Sequence, residues 1–318
     1  MAVNIVRFQR GDDVAWGVLR GDEIVRVPGT FATTGEFITK TDVGQLKRLD
    51  GEKVARSAVK ILSPVTRNQQ FICQGANYRQ HMIESGMNPD AKTFNMIFTK
   101  ASSCIVAADS ALVKPSHVRF LDYEVELGLV LRRNIDGATK VTDANLLDFV
   151  AGLVIVNDYS ARDVQIPQMQ FYKGKSYRTF GPVGPHLALL EPADAAEIRN
   201  LRLRLTVNGE VRQDDTAANL VFGPAETLTE LSGLQDLFVG DLIATGTPAG
   251  CALSVPPPFV QRLVGLLPEQ AKWKAFFAKQ AQRPQYLKVG DIVEATIANA
   301  SGAIDLGRQR NVVVEERS

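Results

Sequence analysis

The chain has 318 residues, 45% hydrophobic and 22% charged, with a formal net charge of +1. That length holds one large domain or two smaller ones with a sizeable core, and the near-neutral charge, with no concentrated basic stretch, argues against nucleic acid or an anionic membrane as the main partner. No apolar run reaches the roughly 18 residues of a membrane span, and the opening Met-Ala-Val-Asn-Ile-Val-Arg-Phe lacks the order of a signal peptide.

Residues 1–66 read as a small β-rich N-terminal domain. Short strands are expected at 4–8, 15–19 and 23–27, with Gly-Asp turns at Gly11 and Gly21 and a short helix at 43–48. Residues 67–318 form the main body. It is mostly β, an α+β class overall, with helices expected at 78–85, at 142–149 capped by Asp143, and at 225–231. Asn208-Gly209 and Val239-Gly-Asp241 mark turns. An insertion at about 251–288 carries Pro256-Pro-Pro258 and then a stretch at 259–282 in which Trp273, Phe276, Phe277 and Gln280 follow helical spacing. It reads either as an amphipathic helix packed on the body or a second subunit, or as a specificity element near a site. Cys73, Cys104 and Cys251 form no CxxC or zinc pattern and read as reduced thiols of a cytosolic protein.

The chemistry concentrates in a few segments. In Asp122-Tyr-Glu-Val-Glu-Leu-Gly-Leu-Val-Leu131, strand alternation puts Glu124 and Glu126 on one face and Val125, Leu127, Leu129 and Leu131 on the other. Two adjacent carboxylates call for a positive charge between them. With Asp158, which ends the apolar run Gly152-Leu-Val-Ile-Val-Asn-Asp158, they make a candidate site for a hard divalent cation, Mg²⁺ or Mn²⁺. A pair of glutamates facing solvent on a half-exposed strand is the plainer alternative. His81 and Glu84, three apart, share a face if their segment is helical. A carboxylate there would orient the imidazole and raise its basicity, as a water-activating base requires; an ordinary surface pair has the same spacing. His117 and His186 sit beside turn-like or proline-rich residues and read as structural. Lys175, in Lys173-Gly-Lys175, is a candidate oxyanion partner or a solvated loop lysine. The Gly/Thr loop after Asp241, ending at Gly250, either admits a ligand to the backbone or forms a tight turn. Dinucleotide, P-loop and serine-elbow motifs are absent, as is HExxH.

In order along the chain stand Gln74-Gly-Ala-Asn-Tyr-Arg-Gln-His81-Met-Ile-Glu84, Phe98-Thr-Lys100, Asp122-Tyr-Glu-Val-Glu126, Asn157-Asp-Tyr-Ser-Ala-Arg-Asp-Val-Gln165, Gly174-Lys-Ser176, Gly181-Pro-Val-Gly-Pro185, Val207-Asn-Gly-Glu210 and Thr245-Gly-Thr-Pro-Ala-Gly250. Together these segments resemble the fumarylacetoacetate hydrolase family from about residue 70 to the end. The resemblance implies a mixed β-roll catalytic domain, commonly behind a small N-terminal domain, in a cytoplasmic homodimer. It implies Glu124, Glu126 and Asp158 as metal ligands, His81 and Glu84 as a water-activating dyad on a lid, and Lys175 as the residue that polarises the substrate. Tyr78, Arg162, Gln165 and Thr247 fall among its ligand-contacting positions, and Lys100 matches a position without a definite role. The neighbourhood ahead of His81 offers no fourth acid, which places the chain in the three-carboxylate branch, and the insertion after Gly250 departs from the family pattern. The expected activity is metal-dependent hydrolysis of a C–C bond in an acylpyruvate-like or 1,3-dioxo acid. Decarboxylation of an oxaloacetate-type 2-oxo acid, hydration or isomerisation on the same enolate chemistry are alternatives, as is a catalytically silent metal-binding dimer.

Overall fold

Runs rich in β-branched residues build most of the computed structural model, which describes residues 2–256 and 258–316. The central strands, Val125–Leu131 and Val150–Asn157, are buried along their whole length. This is why they read as near-continuous apolar runs: both faces of the sheet are covered. On one side, Val125, Leu127, Leu129 and Leu131 join a core with Leu203, Leu205, Ala295 and Ile297. On the other, Val130, Val154 and Val156 pack with Trp16, Phe37 and Phe71. Each such side chain contributes about 1.5–3 kcal/mol on leaving water.

The large sheet runs in the order Lys53–Ala55, Glu23–Arg26, Asp13–Arg20, Val3–Arg10, Leu187–Leu189, Val150–Asn157, Val125–Leu131, Leu242–Ala244, Phe71–Gly75, Met96–Lys100, with Lys60–Leu62 also paired to Val3–Arg10. The first strands are therefore continuous with the main body through the pairing of Val3 with Leu189. A second sheet, ordered Glu210–Thr216, Arg202–Val207, Ile292–Ala298, Asp305–Glu315, Leu112–Lys114, covers the first core. Arg202–Val207 alternates between exposed and buried side chains, as a strand with one wet face must. The fold is mainly β, of the α+β class. Among the described residues no helix is long and apolar enough to cross a membrane.

The helices depart from expectation in informative ways. Arg79–Glu84, Val43–Arg48 and Pro224–Ser232 form where anticipated. Thr34–Lys40 was not foreseen; Thr33 caps it, its hydroxyl accepting from the Glu36 N–H. The helix expected at 142–149 is only Leu146–Phe149. Asp143 is not its cap, because Asn145 Oδ1 accepts from the Thr142 N–H and closes the preceding residues into a turn. The polar exit after Asp158 is two short helices, Arg162–Gln168 and Phe171–Lys175. The insertion is two helices, Pro258–Gly265 and Glu269–Gln280, interrupted at Pro268. The second packs on the body: Phe277 lies 5.9 Å from Phe120, and Gln280 donates to the Ser254 carbonyl while accepting from the Tyr286 hydroxyl. Cys73, Cys104 and Cys251 are free and buried.

Candidate active site

Antiparallel register places Val125 opposite Asn157. The residues just beyond that pair, Glu124 and Asp158, therefore lie side by side, and the Asp158 N–H donates to the Glu124 carbonyl at 2.8 Å. Glu126 is two residues on and shares the face of Glu124. Carboxylate oxygens of the three lie within 4.8 Å of one another, and the residues are 4%, 1% and 0% exposed in the order Glu124, Glu126, Asp158. The solvent-facing alternative is thereby overturned.

Three buried cations converge on this cluster. Lys175, the last residue of Phe171–Lys175, donates from Nζ to Glu124 Oε2 and to Asp158 Oδ2. Lys100, closing Met96–Lys100, donates to Asp158 Oδ1 at 2.5 Å and to the Phe180 carbonyl at 2.8 Å. Arg162 opens Arg162–Gln168 and uses its whole fork: Nη2 to Glu124 Oε1, Nε to Asp122 Oδ2, and Nη1 to Gln165 Oε1. Asp122 in turn accepts from the N–H groups of Ala252 and Leu253, tying the start of the insertion to the site. Glu126 is different. Its Oε2 accepts from the Gly246 N–H at 2.9 Å, and among the described residues no cation is bonded to it. Gly246 has φ +88°, and a Cβ there would fall 2.8 Å from Asn77 Cβ, so only glycine brings this N–H to the carboxylate.

Charge follows from these contacts. Burial alone would raise the pKa of Glu124, but Arg162 and Lys175 overcome it and hold the carboxyl well below the usual range. For Glu126, burial pushes the pKa well up, and the charges of Asp158 and Glu124 push it further. Burial opposes the charge on Lys175, yet Asp158 and Glu124 keep the ammonium firmly protonated. Four carboxylates (Asp122, Glu124, Glu126, Asp158) thus meet three cations (Lys100, Arg162, Lys175), leaving Glu126 as the carboxylate without a cation partner among the described residues, favoured neutral until a cation binds. The all-oxygen donor set and this charge deficit fit a hard divalent cation held by Glu124, Glu126 and Asp158. The Lys175 ammonium already bridges two of the three carboxylates as a cation would.

Residues 70–314 match the fumarylacetoacetate (FAA) hydrolase C-terminal family, and residues 4–64 match the Rv2993c-like N-terminal family. The chain belongs to the fumarylacetoacetate hydrolase family. It is 38% identical over 206 residues to oxaloacetate tautomerase YisK of Bacillus subtilis, covering 64% of this chain and 66% of that one. It is 37% identical over 205 residues to the bovine mitochondrial oxaloacetate tautomerase FAHD2A, covering 64% and 63%. The match thus spans about two thirds of the length of these relatives. Among solved structures, a fumarylacetoacetate hydrolase from Exiguobacterium antarcticum superposes with a TM-score of 0.76 at 27% identity, over 99% of this chain and 100% of the other. A probable 2-hydroxyhepta-2,4-diene-1,7-dioate isomerase from Mycobacterium abscessus gives 0.73 at 27% identity over the full length of both chains.

Within this family frame the remaining positions separate into two groups. His81 joins the cluster: one of its ring nitrogens lies within 4.8 Å of both a Glu124 oxygen and Cys251 Sγ, and its Nδ1 is buried without a partner. Burial lowers its pKa against the pull of Glu124, which favours the neutral imidazole. Glu84, at the other end of the same helical turn, is exposed, and among the described residues no hydrogen bond joins it to His81. Tyr78 is fully buried, with its hydroxyl unpaired. The Thr247 hydroxyl donates to the Val125 carbonyl and accepts from Gln213 Nε2, which holds the loop against the strand Val125–Leu131. Arg162 and Gln165 are likewise engaged, with each other and with the carboxylates. Sequence reasoning missed Asp122, although the alternation that paired Glu124 with Glu126 reaches it too. It left Lys100 without a role, and nothing in the sequence singled out Cys251.

Proposed function

We propose that this enzyme moves a proton between carbon and oxygen of a short 2-oxo acid, interconverting keto and enol forms of an oxaloacetate-like substrate with Mg²⁺ or Mn²⁺ as cofactor. One observation carries this reading: beside the carboxylate cluster stands a single neutral imidazole, His81, with a buried ring nitrogen that has no partner. Enolisation needs one proton carrier and a place for negative charge, whereas hydrolysis also needs a base held in position to activate water. The tautomerase relatives support the same choice.

Glu124, Glu126 and Asp158 would hold the divalent cation, which when bound would supply Lewis-acid polarisation of the 2-oxo group. His81 accepts the proton from the carbon next to that group and returns it to the enol oxygen, so no water is consumed. Lys175 keeps its positive charge throughout, because Asp158 and Glu124 hold its proton, and it offsets the charge that develops on oxygen. Arg162 and Lys100 fix the carboxylates in place.

C–C hydrolysis of an acylpyruvate is the second reading. It is favoured by Glu84, which shares the His81 helix and whose charge acts to raise the imidazole pKa. The test is to add enol oxaloacetate and follow loss of the enol's ultraviolet absorbance with Mg²⁺, Mn²⁺ or EDTA, while pyruvate release and acylpyruvate cleavage are assayed in parallel. Metal-dependent ketonisation without pyruvate release is expected, and His81→Ala should slow it by about 10²–10⁴-fold. An unchanged rate in His81→Ala, or acylpyruvate cleavage as the one metal-dependent activity, would refute the proposal.

A further inference from the structure

We propose that Cys251, His81 and Glu124 form a second, softer cation site that takes Zn²⁺ and thereby silences His81. The three residues come from separate elements: the loop after Gly250, the helix Arg79–Glu84, and the edge of the strand Val125–Leu131. A donor atom from each lies within 4.8 Å of the other two. Cys251 is 7% exposed, and its Sγ makes only weak contacts, accepting from Gln213 Nε2 at 3.7 Å and lying 4.0 Å from both Glu124 Oε1 and the Pro248 carbonyl. The thiol is thus held only by weak contacts, and the His81 ring has a buried nitrogen without a partner.

The donor set differs in kind from the neighbouring trio. Three oxygens suit Mg²⁺ or Mn²⁺, whereas sulfur, nitrogen and oxygen together suit Zn²⁺. With the usual zinc–ligand lengths, tetrahedral donors stand about 3.6 Å apart. The cluster therefore needs to contract by at most about an ångström, and by less along the 4.0 Å edge from Cys251 Sγ to Glu124 Oε1, within reach of side-chain rotation. As the Zn–S bond forms, the thiol proton leaves to solvent. Zn²⁺ with one thiolate and a neutral imidazole then adds one net positive charge to the cluster, because the Glu124 carboxylate is already shared by Arg162 and Lys175. Glu124 belongs to both sites, so zinc bound here lies against the catalytic cation's site without requiring its displacement. Inhibition as a readout rests on His81 being the proton carrier; binding does not.

The experiment uses the full chain saturated with Mg²⁺. Zn²⁺ is titrated by calorimetry and Co²⁺ by the near-ultraviolet thiolate-to-cobalt charge-transfer band, in wild type, Cys251→Ser and Cys251→Val. The wild type should bind and show the band, and zinc should inhibit turnover. Outer partners of metal ligands are worth about 10–100-fold in affinity, so loss of the thiolate itself should weaken zinc by at least about 100-fold, abolish the band and raise the inhibitory concentration to match. Turnover with Mg²⁺ alone should be unchanged in both variants. Equal zinc affinity and inhibition in all three proteins, with no cobalt–thiolate band, would overturn the proposal and leave zinc simply replacing the hard cation on the three carboxylates. Calorimetry and the cobalt band need no turnover, so failure of the proposed activity would be read separately.

Discussion

Glu124 and Glu126 are chemically identical, two residues apart and both buried, yet their replacement by glutamine should have very unequal consequences in the absence of metal. Glu124 is the shared acceptor of Arg162 and Lys175. Glu124→Gln leaves both cations facing a neutral amide. Removing one partner of a buried ion pair costs about 3–5 kcal/mol. Arg162 keeps Asp122 and Lys175 keeps Asp158, so the lower end, about 3 kcal/mol, is expected. Against a total stability of about 5–15 kcal/mol that loss is large. Glu126 has no bonded cation, and burial with two neighbouring carboxylates already favours its neutral form. Glu126→Gln exchanges one neutral group for another and retains an oxygen to accept from Gly246. Its cost should not exceed the worth of one hydrogen bond, about 1 kcal/mol. Urea unfolding in EDTA measures both. Repeating it with Mg²⁺ at about a hundred times its dissociation constant should add about 2.7 kcal/mol to wild type and nearly nothing to either variant. Equal losses in EDTA, or Glu126→Gln as the less stable of the two, would refute the charge assignment.

Gly246→Ala strains a φ of +88° and presses a methyl group on Asn77, moving the N–H that holds Glu126; metal affinity by calorimetry should fall about 10–100-fold, and unchanged affinity would show that this N–H does not position the carboxylate. His186 is buried, its Nε2 donating to the Asp305 carbonyl at 2.8 Å and its Nδ1 without a partner. Burial holds its folded pKa below the ordinary value of 6.5, so its contribution is full above that value and is lost as pH falls through the folded pKa. His186→Gln keeps a donor and removes the titration, so the decline in urea midpoint between about pH 7 and 5 should flatten; an unaltered slope would assign the decline to other groups.

The sequence was most legible where one physical rule acted alone. Alternation in Val125–Leu131 assigned each side chain to its face, because successive side chains of a regular strand point to opposite sides of the sheet. The site was legible in its anions and less so in its cations. Lys100 and Arg162 reach the carboxylates only through sheet pairing and the placement of a short helix, which local pattern does not encode. The Thr247 hydroxyl reads as a possible ligand contact from the Gly/Thr loop alone, and its bonds to Val125 and Gln213 are tertiary contacts that local sequence does not encode. The short helices Thr34–Lys40 and Phe171–Lys175 escaped notice because neither is long enough for a hydrophobic period to emerge.

The charge arithmetic also bears on how one site serves several reactions in this family. Lys100, Arg162 and Lys175 neutralise all but one of the carboxylate charges without help, so the cluster can fold before any metal arrives. What the metal adds is compensation at Glu126, the ligand least bound by the protein itself. On the proposed mechanism the reactive carbon is then governed by the helix Arg79–Glu84, which brings His81 to the cluster. Glu84 stands in solvent while His81 faces inward on the same helix. Proton transfer needs only the inward residue, and hydrolysis needs both to turn toward the substrate. On the proposed mechanism, the choice between the two chemistries therefore turns on whether Glu84 reaches His81 rather than on the metal ligands.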